Sequence, residues 1–186
     1  MITLDTIRDR LPDYARDLKL NLGSVLSPAG APGLTEKQIW ATALAAAIAS
    51  RHLPLAHDLE TLARAHLSDA DVTGARAAAA VMGMNNIYYR FLHLVEDAEY
   101  KTLPARLRMN VIANPGIASQ DFELLSLAVS AINGCGTCVA SHERALRQHG
   151  LPREAVQSAV RIAAVIHAVA GVLEAQESGQ DQVAVA

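Results

Sequence analysis

Residues 122–143 read "FELLSLAVSAINGCGTCVASHE". Leu124, Leu125, Leu127, Ala128, Val129, Ala131 and Ile132 occupy almost the whole circumference of a helix, so this stretch predicts a central helix buried on nearly every side. Its polar residues, Glu123, Ser126, Ser130 and Asn133, fall within about 80° of one another at helical spacing, forming one polar seam. Asn133-Gly134 breaks the helix, and "CVASHERALRQH" (138–149) predicts a second one, closed by Gly150 in the C′ position. If the pair folds back antiparallel, Glu123, ten residues before Asn133, comes level with His142, eight after Gly134. Cys138 and His142, at i and i+4, share one face of the second helix, and Cys135 stands at its start. Glu123, Cys135, Cys138 and His142 can then line one small pocket.

The rest of the chain extends the same pattern. At 186 residues it suits a single domain able to bury a core without structural metal or disulfides. Alanine is abundant and aromatics scarce, which favours closely packed helices over sheets. Thr3 is placed to cap a short helix, Pro12 to open another lasting until Gly23, and "SPAGAPG" (27–33) to form a loop. Thr35 caps a helix over "EKQIWATALAAAIASR", with further helices expected at about 54–67, 70–95 and 102–113. Ser119 caps the helix of the seam, and Pro152 opens a last long helix to about Gln176. The fold class is therefore all-α, one domain over residues 1–176, with 177–186 expected as a flexible tail. The apolar pattern of "IWATALAAAIASRHLPLAHD" matches that of the opening stretch, a degenerate helical repeat with Arg51 and Pro54 in the places of Cys135 and Cys138. The catalytic copy covers about 117–176.

Several function classes fall away. Net charge is −3 and no basic stripe is visible, which excludes an ordinary nucleic-acid binder. "MITLDTIRDR" has early acids and no apolar core, so no secretory leader is expected there. Apolar runs such as "AAVIHAVAGVLEA" fall short of the ~20 residues that span a bilayer. The expected location is the cytoplasm, where thiols are kept reduced and a CxxC is more often catalytic or metal-binding than a permanent staple.

A free thiol, with its pKa of about 8.5, is mostly protonated at pH 7, and the thiolate is the nucleophile. His142 can take the proton from Cys138 and Glu123 can orient the imidazole. With a second thiol three residues off, the product is a disulfide, reversible by exchange, which favours redox chemistry over hydrolysis. Zinc is the competing reading: two cysteines and a histidine give three ligands, with Glu123 or water as the fourth. Two inert core thiols are the third. His52 and His57 flank Pro54 near a helix start; His66, His93 and His149, near helix ends, read as surface or capping residues, and His167, in an apolar run, reads as a core histidine. Adjacent Asn85 and Asn86 need partners if buried, and read as residues that fix helix packing or a subunit contact.

The Glu-then-CxxCxxxH arrangement across a helix turn resembles the carboxymuconolactone decarboxylase-like superfamily, and within it the alkyl hydroperoxidase D branch. "LPDYARDLKLNL", "VMGMNNIYYR" and "LRMNVIANPGI" are similar to stretches of that branch, so the likeness covers about residues 1–175. It implies an all-α homotrimer that binds no cofactor and works as an antioxidant dithiol oxidoreductase. The implied partners are the peroxiredoxin alkyl hydroperoxide reductase C, which it reduces, and the lipoylated acyltransferase of a 2-oxo-acid dehydrogenase complex, whose dihydrolipoamide re-reduces it. Weak direct reduction of organic hydroperoxides is also implied. Residue by residue, Cys138 matches the attacking thiol, Cys135 its disulfide partner, and Glu123 and His142 the proton relay. The family pattern has a second histidine inside the CxxC where this chain has Thr137, so the implied relay runs through Glu123, His142 and Cys138 without it. Two alternatives stay open: another enzyme of the superfamily, either a disulfide reductase with a different donor or a decarboxylase, and a non-catalytic zinc-stabilised module.

Overall fold

The computed structural model describes residues 1–183, with side chains through residue 178. Nine α-helices and two short 3-10 turns make up these residues, with no strand among them, and the fold is all-α as expected. Helices α1 (Leu4–Asp9) and α2 (Arg16–Val25) lead to α3 (Glu36–Ala49) and α4 (Leu53–Ala63), then the long α5 (Asp69–Leu94). A single turn, α6 (Asn110–Ala113), precedes α7 (Ser119–Ile132), α8 (Gly136–Gln148) and α9 (Arg153–Val183).

Helices α3 and α7 lie at the centre, packed on each other, and α5 and α9 each pack on both of them. The reason is compositional. Leu44, Ala45, Ala46 and Ala47 on α3, like Leu124, Leu125, Ala128 and Val129 on α7, are fully buried. Such all-round apolar helices can only be stable with neighbours on every side. Alanine at the contacts lets the backbones approach closely, and each buried leucine contributes ~1.5–3 kcal/mol. Helix α9 is long and apolar enough on composition alone to cross a membrane. Here Ala155, Ala159, Ile162, Ile166, Val169 and Leu173 form its buried stripe, which marks it as a core helix.

Caps decide the helix starts. Thr3 with Thr6, Thr35 with Gln38, and Ser68 with Asp71 each form a reciprocal capping box. Other boundaries differ from expectation. The residues after Pro12 first make a 3-10 turn, and α2 runs past Gly23 to Val25. Ser119 is the first residue of α7, and its N-cap is Ala118, with no side-chain cap. The helix expected at 102–113 is absent. Leu103 is extended (ψ 138°) because Pro104 disfavours the helical region for the residue before it, and Arg106 is left-handed (φ 51°), leaving only α6. At the other end α9 continues to Val183, beyond the Gln176 boundary; residues 184–186 of the expected tail lie outside the described residues.

The repeat is visible in the turns, one residue out of the register read from sequence. Helix α3 has Ser50 as its C-cap, followed by left-handed Arg51 (φ 64°) and then His52, whose Nδ1 accepts from the Leu55 amide to cap α4. Helix α7 has Asn133 as its C-cap, followed by left-handed Gly134 (φ 66°) and then Cys135, whose Sγ accepts from the Cys138 amide to cap α8. Arg51 therefore corresponds to Gly134, His52 to Cys135 and Leu55 to Cys138. An alanine-rich helix gives nearly the same apolar pattern after a one-residue slip, so only the cap geometry sets the register.

Candidate active site

The turn from α7 to α8 assembles the site. Gly134 takes the positive φ that lets the chain reverse at once. Cys135 and Cys138 are joined as a disulfide, with Cα atoms 5.3 Å apart. Their surroundings differ. Cys135 is wholly buried at the N-cap, where its sulfur receives the Cys138 N–H at 3.3 Å. Cys138 keeps 7% exposure and borders a cavity of about 420 Å³. Of the two sulfur-bearing residues, only Cys138 borders that cavity. At a helix N-terminus with an amide directed at it, Cys135 is a well-supported leaving thiolate.

Glu123 and His142 meet across the hairpin, Oε2 to Nδ1 at 2.7 Å, both largely buried. The carboxylate holds the proton on Nδ1 and leaves Nε2 as the nitrogen able to take or give one. Both side chains line the same cavity as Cys138, and His142 is one helical turn beyond it. All four residues singled out from the sequence thus lie on one helical hairpin, three of them on one cavity. Thr137 borders the cavity too, where the family pattern has histidine.

The polar seam of α7 is shared among three neighbours. Asn86, fully buried on α5, donates to Ser130 Oγ at 2.8 Å and accepts from Asn133 Nδ2 at 3.0 Å. Arg90, one turn along α5, donates to the Asn133 carbonyl. These contacts pin the reversing turn against α5, so Asn86 fixes helix packing as expected. An Asn86→Ala change leaves Ser130 and Asn133 without these partners, and we expect it to lower unfolding free energy by about 2–3 kcal/mol, read by urea denaturation.

Other sequence readings fare differently. His52, placed near a helix start, is the buried N-cap of α4: it is 2% exposed, with Nε2 3.1 Å from Glu177 of α9. His66 stacks on Trp40, ring centres 5.2 Å apart. His57, His93 and His149 are exposed. His167 is not a core residue; it faces outward and pairs with Ser50 Oγ at 3.2 Å, away from the cysteine cavity. The apolar run around it is the buried stripe of α9, and position 167 falls just off that stripe. No group of three or more His, Cys, Asp and Glu side chains among the described residues is arranged to hold a metal ion. The sequence reading missed the walls of the cavity, Met82, Asn85 and Tyr89 of α5 and Met109 and Ile112 of the α6 region. They are remote in sequence from the cysteines, and only the helical spacing of 82, 85 and 89 hinted at a shared face.

Residues 98–177 match the carboxymuconolactone decarboxylase family. A Frankia alni protein named alkyl hydroperoxide reductase AhpD is 55% identical to the chain, over the full length of both. The protein of that name from Rhodospirillum centenum is 53% identical, over 97% of this chain and 96% of its own length. The chain belongs to the alkyl hydroperoxidase D branch of this family. A third member, from Streptomyces griseus, is 54% identical over 94% of this chain and 97% of its own. In this alkyl hydroperoxidase D family member the matched region takes in the whole of the cysteine hairpin and α6, whose neighbourhood lines its cavity.

Proposed function

We propose that this chain is a dithiol oxidoreductase that defends the cytoplasm against alkyl hydroperoxides. It does so by reducing the peroxiredoxin alkyl hydroperoxide reductase C and, more slowly, hydroperoxides themselves. The observation that carries the reading is a bonded Cys135–Cys138 pair whose one accessible sulfur shares a cavity with a hydrogen-bonded Glu123–His142 pair. Electrons enter from the dihydrolipoyl group of an acyltransferase. One of its thiolates attacks Cys138 Sγ, Cys135 leaves as thiolate, and the second lipoyl thiol closes the lipoyl disulfide, releasing Cys138. His142, steadied by Glu123, takes the proton of the attacking thiol and later returns it to the sulfur that leaves. The reduced pair then repeats the exchange on the peroxiredoxin disulfide.

Decarboxylation of a lactone makes no use of a reversible thiol pair, which disfavours the decarboxylase alternative. Ile87, Phe91 and Leu94 form an exposed apolar stripe on α5, with Tyr100 and Leu103 exposed just beyond. Such a patch favours self-association, in keeping with a homotrimer. The test is reconstitution with a lipoylated acyltransferase domain, dihydrolipoamide dehydrogenase and NADH, with and without the peroxiredoxin, on material whose mass is read by light scattering. NADH oxidation should require the chain and rise when the peroxiredoxin and a hydroperoxide are added. Turnover with thioredoxin but not with the lipoyl domain would instead assign a different reductase, and a monomer by scattering would remove the trimer.

A further inference from the structure

Asn85 has no place in the packing described so far. Its neighbour Asn86 uses both ends of its amide on Ser130 and Asn133. Asn85 is only 4% exposed, its Oδ1 is buried without a hydrogen-bond partner, and its side chain borders the cavity that holds Cys138, Glu123 and His142. A buried acceptor left unpaired is destabilising, and an apolar side chain of the same size would avoid that loss. Met82, one turn earlier on α5, is such a side chain on the same wall. The cavity is also divided in character. Glu123, Ser141 and His142 lie on the α7–α8 side, while Met82, Met109 and Ile112 face them from α5 and the α6 region. On α5 the wall is completed by Tyr89, and Asn85 brings an amide between it and Met82.

We propose that Asn85 is the substrate-orienting residue for organic hydroperoxides, accepting a hydrogen bond from the terminal O–H while the alkyl part lies against Met82, Met109 and Ile112. This rests on the peroxide-reducing function proposed above and adds to it the residue that seats the oxidant. The terminal torsion of an asparagine amide is broad, so a rotation about χ2 turns the acceptor toward the cavity without moving α5. Holding the terminal O–H fixes the O–O axis toward the attacking sulfur. In the step itself, His142 has taken the proton of Cys138. The Cys138 thiolate attacks the terminal oxygen, the O–O bond breaks, and its electron pair leaves on the alkoxide, which receives the proton from His142 as an alcohol. Cys138 is now a sulfenic acid; the Cys135 thiol attacks it, water leaves, and the disulfide forms. Two thiols and one hydroperoxide become one disulfide, one alcohol and one water.

The test uses the reduced full chain in single turnover, so no electron donor is needed. Loss of thiol is followed with cumene hydroperoxide for wild type and Asn85→Leu, a variant with the same branching and heavy-atom count and no polar side-chain atom. Alkylation of Cys138 by iodoacetamide, which has no peroxide O–H to seat, is run in parallel. The expected result is an oxidation rate lowered by about tenfold to a hundredfold, the effect of one lost hydrogen bond to the reacting group. Alkylation should keep its wild-type rate, and the thermal midpoint should stay level or rise, because no internal hydrogen bond is lost. Oxidation at the wild-type rate overturns the proposal. So does a parallel fall in oxidation and alkylation, which would place Asn85 in control of the thiolate, or a fall in rate accompanied by a lowered midpoint. Should the leucine variant not fold, Asn85→Ala carries the same comparison. Wild-type protein inert to cumene hydroperoxide would sink the direct-peroxidase reading itself, and this proposal with it, and that failure is told apart because it needs no variant.

Discussion

Cys138→Ser should abolish lipoyl-driven and hydroperoxide-driven turnover outright while leaving the helices in place. The replaced sulfur is the one that borders the cavity, and a serine hydroxyl at neutral pH is neither a competent nucleophile nor half of a disulfide. Cys135→Ser should be equally inactive, with a different signature. Position 135 is the N-cap of α8, its side chain already accepting from the amide three residues on, and serine is among the best N-cap residues. That variant should therefore unfold at or above the midpoint of the reduced wild type, and should still form a mixed disulfide at Cys138. Trapping that adduct by mass spectrometry distinguishes the entering sulfur from the leaving one. Full activity in the Cys138→Ser protein, or an adduct found on Cys135 in that protein at the wild-type rate, would end the assignment of roles.

Glu123→Gln and His142→Gln should each slow turnover by about a hundredfold or more, the usual range for losing positioned acid–base help. The two should not add fully, because they act as a unit through one 2.7 Å hydrogen bond. Glutamine at 123 keeps the shape but removes the carboxylate that fixes the ring, and its amide can hold either ring tautomer. Alkylation of Cys138 followed against pH reads the thiolate directly, and both variants should shift its profile toward that of an ordinary thiol. A double variant as slow as the sum of two independent losses, or a single variant with an unaltered alkylation profile, would separate the pair from the sulfur.

Much of the site was legible because it is local. Glu123 and His142 are related by counting outward from one turn, and Cys138 and His142 by one helical turn, so helical geometry alone brings them level. The same arithmetic failed where the chain leaves regular structure. Residues 103–109 look helical by composition, yet Pro104 and left-handed Arg106 turn them into the connection that carries Met109 to the cavity. The register of the repeat was misread by one residue because alanine runs carry little positional information. His167 was misplaced because an apolar run on a helix still has an outer face.

From its sequence alone this protein is determined to be a helical domain with a dithiol at a helix start, since periodicity, caps and the Gly134 turn are all short-range properties. Tertiary structure alone decided which sulfur is reachable, how Asn86 and Arg90 pin the reversing turn, and that Asn85 brings an unpaired amide to the cavity. The contacts of α5 join residues 43 to 47 positions apart, and no local pattern encodes the distance between surfaces that meet only when the core closes.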